Sequence, residues 1–539
     1  MYLPRGFCHL YLVICLPGFA ALAKPPTPQP DDASMVHIAI VGAGVAGAST
    51  AYHLHRLSVS GFQQNRNLKV TVYESSPIVG GQVKTVSPPG SGNALESGAS
   101  YFFLDDWCLS DTAQNLGLER QAAPQSTGAV VWDGYRLRED HFCFHDAPKA
   151  VTSHSWNSIT GNILQEIKQF ITKNLASVNS EREPGAIPPR LRSEITAMQE
   201  KLKLLGKNTV FDSLHDELER VGLGDSIRGS AKKFLDELAV PESVQNSIVE
   251  PCIEALFGLN IEEATGLHVV ASMGSGRPGP VAIVSGNDKL VTRMFYESGA
   301  RLRLASQVKE VETGSQRRFS LTIQSTNSDK LAREEHDVVI FTGDSMDFLR
   351  SQDSEPSLRA HQSYVTYFST AYPLNPETFG VRLGWNPSTL ITTENSSYFD
   401  NTTRIMRLTT MPEFYIDRSS CRWDDECDQF VNVHRVDSRA PISETKLRSM
   451  AEGIKTREFN PLTWINTQSW NYRLPTISSA DSNAVGYEIE PEPNMLNANC
   501  NLINTMEMNC RMGRNAALKL LHTRILPNAL SQQEVDDAN

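Results

Sequence analysis

The chain has 539 residues, 40% of them hydrophobic and 21% charged, and a formal net charge of -12. That length exceeds the ~100–200 residues of an ordinary domain, so two interleaved domains around a sizeable core are expected. The acidic balance excludes nucleic acid as a partner, because phosphate binding needs a basic face.

Residues 1–23 read as a secretory signal peptide. Arg5 supplies the positive region, 7–20 are apolar, and Ala21, Leu22 and Ala23 form a small-residue cleavage site. The stretch is short for a span of ~20 residues and is broken by Pro17 and Gly18. No later stretch is long enough, so no transmembrane segment is expected after cleavage. A Pro-rich linker follows at 24–34.

The apolar run 36–41 then leads into Gly42, Gly44 and Gly47, a Gly-x-Gly-x-x-Gly spacing that predicts strand, tight turn and helix. Gly42 permits the turn, Gly44 lets the backbone approach a pyrophosphate, and Gly47 lets helix and strand pack closely. The helix N-terminus offers N–H groups to the phosphates. A second strand at 69–73 ends in Glu74, an acid suited to ribose hydroxyls. The gap between glycines and acid is widened by a polar insert at about 58–67. Gly80, Gly81 and Gln82 follow, and this doublet resembles the one that FAD-binding oxidoreductases place after the second strand. Gln82 stands where that pattern usually has Arg or Lys. The cofactor expected is FAD, held noncovalently, since no His or Cys stands where a flavin linkage is assignable.

Further along, 130–137 reads as two short strands around the Asp133-Gly134 turn. His141, Cys143 and His145 alternate on an apparent strand. They lack a fourth ligand and the paired spacing of a zinc site, so no metal is expected. Residues 157–258 read as mainly helical, with Ile167, Phe170, Ile171 and Leu175, then Ile195, Met198, Leu202 and Leu205, at helical spacing. Strands are predicted at 300–311, 319–324, 337–341, 364–371 and 380–391, and a helix within 506–522. The predicted class is therefore α/β, a Rossmann-type FAD-binding domain interleaved with a mixed α+β substrate domain. The FAD-binding segments are 35–118, 282–348 and 485–525, the substrate segments 119–281 and 349–484, and a polar tail occupies 526–539.

Seven of the nine cysteines lie beyond the leader. Cys421 with Cys427 and Cys500 with Cys510 are two pairings among those open, since connectivity is not readable from sequence. Sequons at Asn395 and Asn401 predict a glycosylated loop and agree with a secretory product, secreted or vacuolar/lysosomal.

Several segments together resemble the prenylcysteine oxidase (prenylcysteine lyase) family. They are Thr505, Met506, Glu507 and Met508 with the run 514–518, the Gly-Asn-x-x-Leu-Val stretch within 285–291, the runs 249–258 and 272–274, the Glu-x-Gly-x-Ser turn at 96–100, and the strand at 361–368. The resemblance spans about 36–522. It departs at Tyr101, Phe102 and Phe103, where the family has an aliphatic pair and a His, and at 254–259, where the family has a polar stretch. The resemblance implies oxidative cleavage of a thioether such as S-prenylcysteine to an aldehyde and free cysteine, with oxygen reduced to hydrogen peroxide. Another lipophilic metabolite on the same scaffold is the alternative. Cofactor contacts are expected from Gly42, Gly44, Gly47, Glu74, Gly80, Gly81, Gln82, Ser100, Val308, Met506 and Glu507. Tyr101, Phe102, Phe257, Met273 and His361 are expected in the pocket for a small lipophilic substrate. His268 and His361 could assist proton movement, although a lone His is more often structural; no catalytic triad is required, and no catalytic residue is assigned.

Overall fold

The computed structural model describes residues 35–59, 67–89, 91, 94–123, 129–132, 137–139, 187–273, 277–314, 318–343, 358–370, 374, 389–392, 403–415, 430–451, 462–475, 494–500 and 502–522. The signal peptide, the linker, the 141–145 cluster, the helical spacing at 167–175, Asn395 and Asn401, the Cys421–Cys427 pair and the tail lie outside these residues.

Strand β1 (Met35–Val41) feeds helix α1 (Val45–Val59), and β2 (Asn67–Tyr73) pairs parallel with β1 from Met35↔Asn67 to Val41↔Tyr73. Ile38, Ala39 and Ile40 are wholly buried, as a central parallel strand covered on both faces requires. A short hairpin, β3 (Thr85–Val86) and β4 (Leu95–Glu96), carries the chain to β5 (Phe102–Phe103), α2 (Trp107–Asn115) and β6 (Arg120–Ala122). Strands β7 (Ala129–Trp132) and β8 (Leu137–Glu139) pair antiparallel, as the Asp-Gly turn predicts.

The predicted helical block holds α3 (Pro189–Leu204), α4 (Leu214–Arg220), α5 (Ala231–Glu237), α6 (Glu250–Phe257) and α7 (Gly266–Ser272). Helix α6 stops at Gly258, whose φ of 67° is the left-handed cap that lacks a Cβ penalty only in glycine. Strand β9 (Pro280–Ile283) inserts between β5 and β6, and α8 (Asp288–Ser298) follows.

The strand expected at 300–311 is two strands, β10 (Arg301–Arg303) and β11 (Ser306–Thr313), in different sheets. Ala305, with φ 50°, turns the chain between them. Strands β12 (Phe319–Ser325) and β13 (Leu331–His336) complete a meander, and β14 (Val338–Phe341) returns to pair parallel with β1. The next strands are β15 (Leu358–Thr370), β16 (Thr389–Thr392), β17 (Ile405–Tyr415) and β18 (Phe430–Ser438), then, after α9 (Glu444–Ala451), β19 (Leu462–Pro475). Strand β20 (Met495–Asn497) and helix α10 (Met506–Leu520) close the fold.

The nucleotide-binding sheet is wholly parallel, in the order β10-β2-β1-β14-β20. Helices α1, α8 and α10 share one core on its first face. On the other face the meander packs Val308, Phe319, Leu321 and Ile323 against Ala39, Tyr73, Val339 and Phe341. The second large sheet runs β19-β15-β18-β17-β16-β7-β8.

Cys510 bonds Cys108 across 402 residues, which corrects the Cys500–Cys510 pairing. Helix α10 turns Cys510 toward α2, whereas Cys500 is buried with Met508 and Met512 in a separate cluster. Cys252 is disulfide-bonded as well.

Candidate functional site

The two glycine signatures close on each other. A Cβ at Gly47 would stand 2.1 Å from the Gly42 carbonyl oxygen, and one at Gly81 would stand 3.1 Å from the Gly44 Cα. Gly42 has φ 112° and Gly81 φ 56°, conformations that a side chain disfavours. The Gly80 N–H donates to the Ala43 carbonyl at 2.9 Å and pins the doublet to the loop. The result is a bare backbone cradle at the start of α1, which fits a dinucleotide pyrophosphate. Glu74 ends β2 beside it: its carboxylate accepts the Ala43 N–H at 2.8 Å and the Ser76 N–H at 2.7 Å.

Gln82 sits between this cradle and helix α10. Its amide oxygen accepts from Asn504 Nδ2 at 2.6 Å, and its amide nitrogen donates to the Asn471 carbonyl at 3.5 Å. Where the pattern has a cation, this chain therefore has a neutral tie between glycine doublet, α10 and β19. Glu507 serves packing as well as position. Its oxygens accept the Cys108 and Leu109 N–H groups at 3.1 and 3.0 Å, which caps α2, and Arg511 Nε donates to it at 2.6 Å. Val308 is buried between the sheets with Tyr73 and Phe319.

A cavity of about 250 Å³ opens next to these segments, lined by Gln82, Asn504, Thr505, Met506 and Glu507 on one side. Its apolar wall includes Phe102, Phe103, Leu256, Phe257, Val365 and Trp470. Tyr101 and Ser100 also line it. The expected pocket residues Tyr101, Phe102 and Phe257 thus come together, and two others do not. Met273 ends α7 with its side chain buried in the helical core, and only its carbonyl reaches toward the site, accepting from Gln199 Nε2 at 2.7 Å. His361 lies on β15 opposite Tyr472, two positions before Ser363, where the strand meets the cavity. His268 lines the cavity but caps α7: Nδ1 accepts the Thr265 N–H at 3.1 Å, and burial pushes the ring down to about 4. It is neutral at pH 7 with its proton on Nε2.

Charged groups sequence reasoning did not single out share these walls. Arg435 and Asp437, two apart on β18, face one side of the sheet, and Arg407 on β17 stands opposite Asp437. Arg407 Nε donates to Asp437 at 2.7 Å and Arg435 Nη2 at 2.8 Å. Those two guanidinium groups hold the Asp437 carboxyl below its ordinary range against the opposing effect of burial. Arg435 Nη1 also donates to the Glu96 carbonyl and to Ser100 Oγ, which fastens the Glu-x-Gly-x-Ser turn to the second large sheet. Arg277 bonds Asp105 and Asp106 and lies 3.9 Å from the Phe103 ring centroid. Glu254, fully buried, pairs with Arg404 and Arg439. No strand was expected over 405–415 or 430–438, and that Arg407 stands across from Asp437 is set by strand pairing, a tertiary fact.

Comparison with known proteins agrees with this architecture. A family model described as prenylcysteine lyase matches residues 198–536, and one described as an NAD(P)-binding Rossmann-like domain matches 40–116. Prenylcysteine oxidase 1 of Bos taurus is 22% identical over 411 residues, covering 72% of this chain and 72% of its own length. Prenylcysteine oxidase 1 of Mus musculus is 21% identical over 426 residues, 74% of each chain. A solved double mutant of putrescine oxidase superposes with a TM-score of 0.53 at 15% identity, covering 90% of this chain and 99% of that one, and shares the fold.

Proposed function

The chain belongs to the prenylcysteine lyase family of flavoprotein oxidoreductases, and from that premise we propose that it cleaves the thioether of an S-prenylcysteine-like substrate. Thioether, water and oxygen give aldehyde, free thiol and hydrogen peroxide, which balances all atoms. The observation that carries the reading is the aromatic-walled cavity lying directly against Gln82 and the start of α10.

Gly42, Gly44, Gly47, Gly80 and Gly81 would hold the FAD pyrophosphate, Glu74 the ribose, and the 504–506 segment the flavin end. When bound without a covalent link, the flavin supplies a two-electron acceptor for the carbon next to sulfur. The protein's own work is placement. Phe102, Phe257 and Leu256 bind an isoprenoid tail and keep water from it, while the β15 and β18 face orients the polar end. His268 is neutral and engaged at Nδ1, so it is no strong base, and the reaction requires none.

We place the enzyme in the secretory pathway, secreted or vacuolar/lysosomal, with glycans on Asn395 and Asn401. The signal-like leader and the Cys108–Cys510 disulfide support that compartment, since such bonds persist where the environment is oxidising. A second reading keeps the oxidase and changes the lipophilic substrate; Glu254, a buried acid on the cavity wall where the family's polar stretch is altered, favours it.

Flavin absorbance of the purified protein mixed anaerobically with S-farnesylcysteine tests the proposal. Bleaching, followed on aeration by aldehyde and peroxide, is the expected result. A spectrum that stays yellow would remove prenylcysteine as the substrate.

A further inference from the structure

Tyr101 is anchored at its ring and open at its hydroxyl. The ring meets Phe103 edge-on at 5.5 Å between centroids, and Phe103 is itself covered by the Arg277 guanidinium. The hydroxyl has no hydrogen-bond partner among the described residues, and it is not sealed away: Tyr101 lines the cavity. The charges acting on it are mainly of one sign. Burial raises the phenol above its ordinary range and is the largest effect; Arg407, Arg277 and Arg435 pull the other way, and Asp106 adds to the burial. Around the cavity as a whole, Lys203, Arg277, Arg407, Arg435 and Arg511 face Asp106, Glu254, Asp437 and Glu507, five cations to four carboxylates among the described residues.

We propose that the Tyr101 hydroxyl, in the field of Arg277, Arg407 and Arg435, is the specificity-determining donor for the carboxylate head of a lipophilic substrate. This assignment rests on the cavity being the substrate site, and it changes the part played by Tyr101 from apolar wall to polar reader. An aliphatic tail then lies along Phe102 and Phe257 while an anionic oxygen takes the open phenol. A charge-assisted bond of this kind is shorter and stronger than a neutral one. A neutral ester head presents a weaker acceptor and gains little from the same phenol.

The test uses the FAD-loaded protein and calorimetric titration with decanoate and with methyl decanoate, which share a tail and differ in head charge. Neither needs to be oxidised, so failure of the thioether reaction leaves this measurement intact. The wild type is expected to bind decanoate ~10-fold or more tighter than the ester. Tyr101→Phe keeps the ring and its contact with Phe103; it is expected to weaken decanoate ~10-fold, leave the ester within about 2-fold, and unfold at the wild-type temperature. Equal binding of acid and ester by the wild type would overturn the proposal without any variant. So would a Tyr101→Phe variant that weakens both ligands equally or neither.

Discussion

Single residues at the nucleotide cradle carry geometric demands that no neighbour can relax. At Gly47 an added Cβ would sit 2.1 Å from the backbone oxygen of Gly42, and that oxygen belongs to the loop that turns under the phosphates. Gly47→Ala is expected to lose about 1–3 kcal/mol of stability and to be purified with substoichiometric FAD; flavin absorbance per protein and denaturant unfolding measure both. Glu74 has the opposite character, since its carboxylate is satisfied by two backbone N–H donors. Glu74→Gln replaces one acceptor oxygen with a donor facing donors, and an increase in FAD dissociation constant of ~10-fold is expected by fluorescence titration. The sequence showed the type and spacing of these residues directly. It did not show that Glu507 caps a helix 398 residues earlier in the chain, because a cap is defined by which N-terminus arrives beside it.

Among elements, α10 is the one that joins the molecule. It packs on α1 where Gly513 comes so close that a Cβ would stand 2.3 Å from the Ala46 carbonyl oxygen. Glu507 at its start caps α2, and Cys510, a little under one turn nearer its centre, is bonded to Cys108 at the start of α2. Cys510→Ser with Cys108→Ser is expected to cost about 2–4 kcal/mol of unfolding free energy, as removal of a long-range disulfide typically does. Reducing agent should lower the unfolding midpoint of the wild type by more than that of the double variant, which still carries the Cys252 disulfide. A helix was expected over 506–522, although after an opening turn; the structure is helical from Met506 onward. Its disulfide partner was not legible, because Cys500 and Cys108 look equally available in one dimension and only the orientation of α10 against α2 separates them.

For the whole molecule, buried titratable groups set an acid-side profile with two opposing signs. Burial pushes His53 and His434 down to about 3 and His268 and His336 to about 4. Their folded pKa values lie below the ordinary 6.5, so each contributes stability present above about 6.5 that is lost as pH falls toward 4. Glu96, whose carbonyl accepts from Tyr367 on β15 and Arg435 on β18, has the reverse sign. Burial raises it from 4.5 to about 7, so its contribution is present below about 4.5 and is lost as pH rises through 7. Four histidines outweigh one carboxylate, and the wild type is expected to lose stability from pH 6.5 to 4.5 in denaturant titrations. Glu96→Gln removes the offset: relative to this variant, the wild type should gain about 3 kcal/mol between pH 7.5 and 4.5.

The chain by itself determined the nucleotide-binding half. Strand, glycine turn, helix, acid and doublet lie within some 50 consecutive residues, and local spacing suffices to fix a local backbone shape. The strand at 338–341 followed from its apolar run, and the closing helix was expected within 506–522. The substrate side was decided only by tertiary structure. Its cavity is assembled from residues 98–106, the ends of α3 and α6, part of α7, residues 363–365 of β15, 406–407 of β17, Arg435 and Asp437 of β18, and the start of α10. Met273 and His361 matched by residue type but face or lie elsewhere, while Arg407, Arg435 and Asp437 met only when two strands distant from the cradle paired. Local chemistry writes a cradle into contiguous sequence; a pocket made of many distant segments exists only once their packing has chosen which side chains share it.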